Sequence, residues 1–463
     1  MSNCFLFEER IDVFMSEQRK YTVAVYTLGC KVNQYESEAI LEAFEKRGYL
    51  PARPEEICDI YIINTCTVTA ESDRKARQFI RRAIHKNPQA YVLVTGCMAQ
   101  TAAKNISAID GVDFICGNAT KMCIVDAAEA LVLRGNKNEE TVIEVTDLDN
   151  APFEKMSITR FDRTRAYVKI EDGCESRCTY CIIPEARGKI RSKPVNEVLD
   201  EVRCLIQNGC REIVLTGIET ASYGKDLGNT SLADLLIAID QLEGIGRVRL
   251  GSLDPTILKP SFVQAIAPLR SLCPHFHISL QSGSSTVLAR MKRKYNADQA
   301  LAGMNRLREV MPQVKFTTDI IVGFPQETEE EFEQTLEFVK KAQFLMIHVF
   351  PYSKRQGTPA AVMSGQVPED IKHRRTATLI DLAFQIRTDM LNHIVAQQEE
   401  RTVLFETYAN GYAKGHTADF IEVAIPSDRP LHAQLLPVKL CCTDGNHCIA
   451  VPISPIHTDS KEG

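Results

Sequence analysis

Three closely spaced cysteines, Cys174, Cys178 and Cys181, constrain the middle of this chain more than any other feature, because only three residues and then two separate them. A strand predicted over residues 166–170 leads into them. Cysteine thiolate is the soft ligand that iron–sulfur clusters take, and most such clusters use four. Three thiolates on one turn can hold three irons of a cubic cluster and leave the fourth iron open to a small molecule. Zinc usually takes paired Cys-x2-Cys hairpins, so a zinc site and three structural thiols are the weaker alternatives.

The first part of the chain alternates predicted strands with predicted helices, which favours a doubly wound parallel α/β sheet. The predicted strands cover residues 22–27, 59–63, 90–94 and 114–115. We expect Asn33 and Glu36 to cap the helix that follows the first strand.

One cysteine directly follows each of the first three predicted strands: Cys30, Cys66 and Cys97. The carboxyl ends of parallel strands meet at one edge of a sheet, where α/β folds bind ligands. These cysteines are therefore expected to converge, and three thiolates there can hold a second cluster. Small turn-filling cysteines are the alternative for any one of them. Cys116 follows the fourth strand, and we interpret it as a bystander rather than a fourth neighbour.

The central part of the chain contains six predicted β/α units between residues 161 and 398. A closed (β/α)8 barrel needs eight, so the pattern predicts an open six-stranded partial TIM barrel. The ends of its strands carry polar or glycine residues that a core would not need. In a barrel these residues line the mouth: Gly217, Glu219, Ser279, Gln281, Gly283, Asp319 and Gly323. Glycine at such positions lets the backbone approach a ligand closely.

The overall charge does not indicate nucleic-acid binding, because the net charge is −6 and the pI is near 6.0. Any such partner must be held by local basic patches. Arg187 and Arg191 follow the cysteine triplet directly, and Arg293 lies in a second basic run. We interpret these arginines as substrate contacts that would position phosphates. A solvated charged face is the alternative.

Composition divides the chain into segments of different character. These are a tail (1–20), an N-terminal domain (21–134), a polar linker (135–160), a central domain (161–398), a small β-barrel (399–455) and a second tail (456–463). Met15 is a candidate start, and the first twenty residues lack the features of a secretory signal. Sixteen cysteines in so large a chain favour a reducing, cytoplasmic compartment over a disulfide scaffold. Without a fourth partner at metal spacing, we interpret Cys441, Cys442 and Cys448 as packing or incidental cysteines.

Taken together, residues 20–450 resemble the radical S-adenosylmethionine (SAM) methylthiotransferases. The triplet, with Tyr180 before its third cysteine, resembles the superfamily's cluster motif. Further motifs stand in the family's order: Gly29-Cys30, Asn64-Thr65-Cys66-Thr67, Thr95-Gly96-Cys97-Met98, Leu280-Gln281-Ser282-Gly283, Met291-Lys292-Arg293, Gly323-Phe324-Pro325 and Pro351-Tyr352-Ser353.

The resemblance implies two [4Fe–4S] clusters and SAM as cofactors. One cluster is expected on Cys174, Cys178 and Cys181, and an auxiliary cluster on Cys30, Cys66 and Cys97. The expected SAM contacts are Tyr180, Gly217, Glu219, Ser279, Gln281, Asp319 and Gly323. The family's chemistry cleaves one SAM to a 5′-deoxyadenosyl radical, removes hydrogen from C2 of an adenine and delivers a methylated sulfur there. The resemblance also implies that the C-terminal barrel is a TRAM domain, which binds RNA.

Within this family, Leu28-Gly29-Cys30-Lys31-Val32-Asn33 resembles the branch that converts N6-threonylcarbamoyladenosine at position 37 of tRNA (t6A) to its 2-methylthio form, ms2t6A. The branches acting on isopentenyladenosine 37 and on an aspartate of ribosomal protein S12 are the alternatives. A two-cluster electron-transfer or scaffold protein is the non-enzymatic alternative. The implied partners are a tRNA with adenosine 37, a flavodoxin or ferredoxin type electron donor and a sulfur donor, without a membrane.

Overall fold

A computed structural model describes residues 20–161 and 163–453 of the protein. The predicted tails, including Met15, lie outside the described residues apart from Lys20. The chain forms two compact units. The first runs to Asp147 without residues 68–70, and the second contains those residues and everything from Leu148.

The first unit is built on a six-stranded sheet in the order β2-β1-β3-β4-β5-β6, in which every pairing is parallel. The strands are β1 Thr22–Thr27, β2 Leu50–Pro51, β3 Ile60–Thr65, β4 Tyr91–Gly96, β5 Phe114–Cys116 and β6 Val142–Glu144. The strand order reverses between β1 and β3, the kind of point at which doubly wound sheets bind ligands. β6 lies inside the predicted linker of residues 135–160, so the sheet extends into that segment.

Helices cover both faces of this sheet, as the doubly wound prediction requires. They are α1 Lys31–Lys46, α2 Ala70–Lys86, α3 Cys97–Ser107 and α4 Cys123–Arg134. Ile40 of α1 and Ile124 of α4 belong to the hydrophobic core on one face. Ile80 of α2 and Ile106 of α3 belong to the core on the other face. The predicted fold class is confirmed for this unit.

The predicted cap of α1 is wrong. The helix begins at Lys31 with Cys30 at the N-cap, and no side chain caps it. The Asn33 side-chain amide instead donates to the backbone oxygens of Leu28 at 2.6 Å and Thr65 at 2.9 Å. Tertiary partners therefore outcompete the local capping pattern.

The second unit contains the predicted six-stranded parallel arrangement, divided between two sheets. The first has the order β11-β10-β7, and the second runs β12-β13-β14-β15. The strands are β7 Ala166–Lys169, β10 Glu212–Thr216, β11 Arg247–Leu250, β12 Ser252–Leu253, β13 His275–Gln281, β14 Lys315–Val322 and β15 Met346–Pro351. Only Gly251 separates β11 from β12, so one bent strand belongs to both sheets. Among the described strands, no pairing joins β7 to β15, and the barrel is therefore open.

A short hairpin and eight helices complete this part of the described chain. The hairpin pairs β8 Glu171–Asp172 with β9 Arg191–Ser192. The helices are α5 Ile183–Arg187, α6 Val195–Gln207, α7 Leu232–Asp240, α8 Pro260–Ile266, α9 Ser285–Arg290, α10 Ala297–Val310, α11 Glu329–Ala342 and α12 Glu369–Ala396.

The C-terminal strands close into a five-stranded barrel in the order β16-β17-β18-β20-β19, which confirms the predicted architecture. They are β16 Glu400–Ala409, β17 Tyr412–Thr417, β18 Glu422–Pro426, β19 Leu435–Thr443 and β20 Cys448–Pro452. Cys448 is buried in the barrel core, whereas Cys441 and Cys442 are exposed.

This small barrel packs against the amino-terminal ends of the strands of the partial barrel. Phe420 has a φ of 74°, which is uncommon for an aromatic residue, and its ring stacks on His275 at 4.3 Å and on His416 at 4.7 Å. The carboxylate of Glu212, at the start of β10, forms an ion pair with the Arg249 guanidinium at 2.7 Å. Arg249 also donates to the Ala418 oxygen at 3.1 Å. Burial acts to raise the pKa of Glu212, but Arg249 and its neighbouring arginines outweigh burial and lower it.

Candidate functional site

The first unit brings Cys30, Cys66 and Cys97 to the carboxyl edge of its sheet, directly after β1, β3 and β4. Gly29 has a φ of +105°, and a Cβ atom there would lie 3.0 Å from the Cys66 Sγ. Gly96 has a φ of +98°, and its Cβ would lie 2.3 Å from the Thr65 oxygen. Two glycines therefore allow the three loops to approach one another. Cys66 and Cys97 are buried while Cys30 is exposed, so the group is accessible from one side.

Side-chain amides and a hydroxyl tie these loops together. Asn64 donates to the Asn33 oxygen at 3.0 Å and to the Ser37 hydroxyl at 3.1 Å. The Thr65 hydroxyl donates to the Thr95 oxygen at 2.6 Å. Asn33, Asn64 and Thr65 therefore hold the loops that carry the cysteines. Asn64 and Thr65 belong to the Asn-Thr-Cys motif that ends at Cys66, but the sequence alone did not predict that they would hold the loops together.

A buried ion pair lies under the same edge. The Lys121 ammonium contacts the Glu36 carboxylate, and both side chains are fully buried. Lys121 also donates to the Asn64 side-chain oxygen at 3.3 Å. Sequence reasoning missed this pair, because nothing in the pattern links two residues so far apart.

We expect Lys121→Met to lower the free energy of unfolding by about 3–5 kcal/mol, because Glu36 would stay charged and buried without its cation. Urea unfolding followed by circular dichroism measures this loss. The double variant Glu36→Gln/Lys121→Met removes both charges and is expected to recover most of it. Equal stability of Lys121→Met and the parent would contradict a structural role for the pair.

Cys116 lies at the end of β5 within the core formed with α1 and α4. Its thiol contacts Cys123, and that hydrogen bond together with burial raises the pKa of Cys116 well above its usual range. Cys116 thus packs in the core beside α1 and α4, and its interpretation as a bystander stays a prediction.

In the second unit, the β8–β9 hairpin closes the loop that carries the cysteine triplet. Gly173 has a φ of +89°, and a Cβ atom there would lie 1.9 Å from the Lys189 oxygen. The Cys174 amide donates to the Gly188 oxygen at 2.9 Å. Only glycine fits this crossing of two backbone segments.

Glu219 follows β10 and lies against the start of the triplet loop. Its carboxylate accepts from the Ser176 hydroxyl at 3.0 Å and lies 3.3 Å from the Cys174 Sγ. Burial and the Glu219 charge both raise the pKa of the Cys174 thiol. The Glu219 amide donates to Glu171 at 2.7 Å, and burial raises the pKa of Glu171 well above its usual range. Glu171 also packs against Gly217, so Gly217 allows a close approach to a protein carboxylate.

Arg293 contacts the middle cysteine of the triplet. Its guanidinium donates to the Cys178 Sγ at 3.1 Å and pairs with Asp254 at 2.8 Å. Burial alone would lower the pKa of Arg293, but the surrounding phenol, thiol and carboxyl groups raise it. Burial raises the pKa of Tyr180, which lies beside the same guanidinium. Arg293 was predicted as a substrate contact, and the structure places it against the triplet instead.

Alternate residues of β13 and β14 form a polar inner face. His277, Ser279 and Gln281 are half-buried while their neighbours are buried, and Asp319 is half-buried on β14. The His277 Nε2 lies 3.4 Å from the Asp319 carboxylate. Two of the predicted pocket residues, Ser279 and Asp319, thus share one side of the sheet. The register shifts before Gln281, which pairs with Ile320 and has a φ of 73°. His277 was missed, although its period-two spacing with Ser279 and Gln281 is a detectable signal.

Two of the predicted mouth glycines serve helix packing rather than approach to a ligand. A Cβ atom at Gly283 would lie 2.6 Å from the Cβ of Phe338 in α11. A Cβ atom at Gly323 would lie 2.2 Å from Lys372 in α12. The Gly323 amide donates to Glu327 at 2.6 Å.

The basic patch expected after the triplet is not exposed. Arg187 has no exposed surface, and Arg191 is 6% exposed. Both pair with Asp172, at 3.3 Å and 3.4 Å. Their guanidinium groups hold the hairpin together, so they do not form the surface that was predicted to receive phosphates.

Both cysteine groups have the composition that a cubic cluster requires. Each offers three thiols on loops that glycine allows to approach closely, and cysteine thiolate is the usual cluster ligand. No group of three or more His, Cys, Asp or Glu side chains within residues 20–161 and 163–453 is arranged to hold a metal ion. A single ion gathers its ligands about one point, whereas a cubic cluster holds thiolates at separate corners.

Two family models match the chain. The Radical SAM superfamily matches residues 168–339, which contain the triplet. A family described as the uncharacterized protein family UPF0004 matches residues 22–117, which contain Cys30, Cys66 and Cys97. No helix among the described residues is long and apolar enough to cross a membrane.

Curated relatives match most of the chain. The threonylcarbamoyladenosine tRNA methylthiotransferase of Bacillus subtilis (strain 168) is 40% identical over 430 residues, which cover 90% of this chain and 93% of that protein. The protein of the same name from Thermotoga maritima is 39% identical, covering 92% and 96%. A tRNA-2-methylthio-N(6)-dimethylallyladenosine synthase from Carboxydothermus hydrogenoformans is 37% identical, covering 81% and 86%.

Among solved structures, the radical SAM methyltransferase TsrM from Kitasatospora setae superposes with a TM-score of 0.53 at 15% identity. The match covers 74% of this chain and 75% of that chain. At so low an identity, the likeness shows the fold alone.

Proposed function

The chain belongs to the threonylcarbamoyladenosine tRNA methylthiotransferases of the radical SAM superfamily, and we propose that it converts t6A at position 37 of tRNA to ms2t6A. The identity to relatives of that name over nearly the whole chain is the observation that carries this proposal. The protein is a transferase whose cofactors are [4Fe–4S] clusters and SAM. The isopentenyladenosine and S12 alternatives are not favoured.

Cys174, Cys178 and Cys181 would hold the radical SAM cluster, and Cys30, Cys66 and Cys97 would hold the auxiliary cluster. When bound, the cofactors supply a radical that can take hydrogen from an unactivated C–H bond, which no side chain here can deprotonate. The protein contributes placement and exclusion of water. Asn33, Asn64 and Thr65 fix the auxiliary loops.

Around the triplet, charged side chains act on the thiols and the cofactor. Arg293 donates to the Cys178 Sγ and so orients the middle thiol of the triplet. We assign Glu219, whose carboxylate lies beside Cys174, to accept from the SAM ammonium group. Ser279 and Asp319 present polar atoms on one side of the sheet, and we assign them, with Gln281 at the end of β13, to the remainder of SAM. Tyr180, beside the triplet, is assigned to the same ligand, whereas the space beside Gly217 is taken by Glu171.

The tRNA contacts follow from the remaining surfaces. We assign an RNA-binding role, like that of a TRAM domain, to the C-terminal barrel, whose β16–β17 hairpin exposes Tyr408 and Tyr412. Aromatic side chains of this kind stack on unpaired bases. The reaction also requires a flavodoxin or ferredoxin type electron donor and a sulfur donor, and a cytoplasmic location would give access to all three partners.

Nucleoside analysis tests the proposal. Disruption of the gene is expected to remove ms2t6A from digested bulk tRNA and to accumulate t6A, as measured by mass spectrometry. Reintroduction of the parental gene should restore ms2t6A, which controls for secondary effects. Unchanged ms2t6A together with loss of the isopentenyl methylthio nucleoside, or of the S12 modification, would contradict the substrate assignment but not the family.

A further inference from the structure

A cavity of about 520 Å³ lies beside the triplet loop, and no role has yet been given to it. Its volume is within the range of small-ligand pockets. Glu219, which contacts Cys174 and Ser176, forms one end of it. The remainder is lined by loops that follow β10 and β12, together with Lys294. We call it the lysine cavity, because Lys225, Lys259 and Lys294 line it.

The three lysines are available to a ligand. All three side chains are exposed, and none forms an ion pair within the part of the chain that the structure describes. Lys225 donates to the Ser222 hydroxyl at 2.7 Å, which orients it along the wall. Other basic residues near the triplet behave differently, because Arg187 and Lys193 are buried against carboxylates. The lysine cavity is therefore an exposed basic surface, close to the triplet loop through Glu219, that can accept an anion.

Other residues that line the cavity are apolar or carry hydroxyl groups. Leu232, Ile257 and Phe262 supply the apolar surface. Thr230 and Thr256 supply hydroxyl groups. These groups match the parts of an unpaired nucleotide. An aromatic ring can stack on the base, hydroxyl groups can hydrogen-bond to the sugar, and lysines can bind the phosphate.

The cavity is held in position by the hairpin that closes the triplet loop. Gly224 has a φ of +86°, and a Cβ atom there would lie 2.4 Å from the Thr230 oxygen, so the lining loop turns tightly. The Gly224 amide donates to the Ser192 hydroxyl at 2.8 Å. The Tyr223 hydroxyl donates to the Lys193 oxygen at 2.8 Å. A ligand in the lysine cavity is thus fixed relative to Cys174.

We propose that the lysine cavity binds an oxyanion of the tRNA substrate through Lys225, Lys259 and Lys294. This inference rests on the proposed function. Two groups of that tRNA carry such an oxyanion near the target base. One is a backbone phosphodiester of the anticodon loop, and the other is the carboxylate of the threonylcarbamoyl group.

The test compares two double variants of the holoenzyme that each remove two positive charges. Lys259→Gln/Lys294→Gln alters the cavity, while Lys340→Gln/Lys341→Gln alters the end of α11, outside the cavity lining. Each protein is titrated with a tRNA bearing t6A and with the same tRNA bearing unmodified adenosine 37, at several salt concentrations. Melting temperature and cluster absorbance verify that each variant is folded and loaded.

We expect the cavity variant to raise the dissociation constant for t6A tRNA about tenfold and the control variant to change it little. Equal weakening for both tRNAs, with a salt slope reduced by about 0.7 for each lost contact, identifies a phosphodiester of the single-stranded loop. Weakening for t6A tRNA alone identifies the carboxylate. Parental affinity of the cavity variant for both tRNAs overturns the inference and leaves the proposed function intact. A parental protein that binds neither tRNA overturns both.

Discussion

Cys174→Ala is expected to abolish both 5′-deoxyadenosine formation from SAM and synthesis of ms2t6A, whereas Cys30→Ala abolishes only ms2t6A. The reason is that the two cysteines belong to separate groups, one following β7 and β8 and the other following β1. Losing one of three thiolates leaves an iron without its protein ligand. Chromatography of an assay containing SAM, a reductant and t6A tRNA measures both products from the same sample.

Cys441→Ala is the matched control for these substitutions, because it removes an exposed thiol from the C-terminal barrel. It should retain both products and the parental iron content. Synthesis of ms2t6A at the parental rate by Cys30→Ala would refute the auxiliary-cluster assignment. Normal 5′-deoxyadenosine formation by Cys174→Ala would refute the assignment of the triplet.

Gly173→Ala is expected to prevent assembly of the triplet cluster and thereby to remove SAM cleavage. The added Cβ atom would lie 1.9 Å from the Lys189 oxygen and 2.5 Å from the Lys189 carbonyl carbon, and both are backbone atoms. A flexible side chain could move aside, but here the β8–β9 hairpin itself would have to open. Iron content and visible absorbance after reconstitution measure the loss of one cluster.

Gly209→Ala separates this crowding from simple backbone strain. Gly209 has a φ of +84°, close to the +89° of Gly173, but nothing lies within 4 Å of its Cβ position. The Gly209→Ala variant should therefore lose about 1–2 kcal/mol of unfolding free energy and keep both clusters. If the two variants lost their clusters equally, left-handed strain rather than the contact with Lys189 would explain Gly173.

The positions of the cysteines could be predicted from the sequence because topology leaves little freedom. Once β1, β3 and β4 are parallel neighbours, the residues after them must meet at one edge, and Cys30, Cys66 and Cys97 do so. The grouping of Cys174, Cys178 and Cys181 could be predicted from their close spacing in the sequence alone. The inner face of β13 follows from period-two alternation, and we missed His277 because it stands before the strand end.

The failures share a physical cause, because each depends on a partner distant in sequence. Gly217, Gly283 and Gly323 look alike as strand-end glycines, yet Glu171, Phe338 and Lys372 respectively occupy the space beside them. Arg187 and Arg191 look like an exposed basic run until Asp172 is placed between them. Likewise, Asn33 does not cap α1 as predicted, because its side-chain amide donates to the backbone oxygen of Thr65 instead.

The contact of Phe420 with His275 has a consequence for the reach of the substrate. It places the C-terminal barrel at the start of β13, whereas the triplet loop lies beyond the carboxyl ends of these parallel strands. The eight residues of β14 span about 26 Å between those two ends. An RNA bound at this end of the barrel that also presents adenosine 37 to the cluster would bridge about that length. Short anticodon-loop fragments would therefore react without help from the barrel, and longer stems would gain affinity from it.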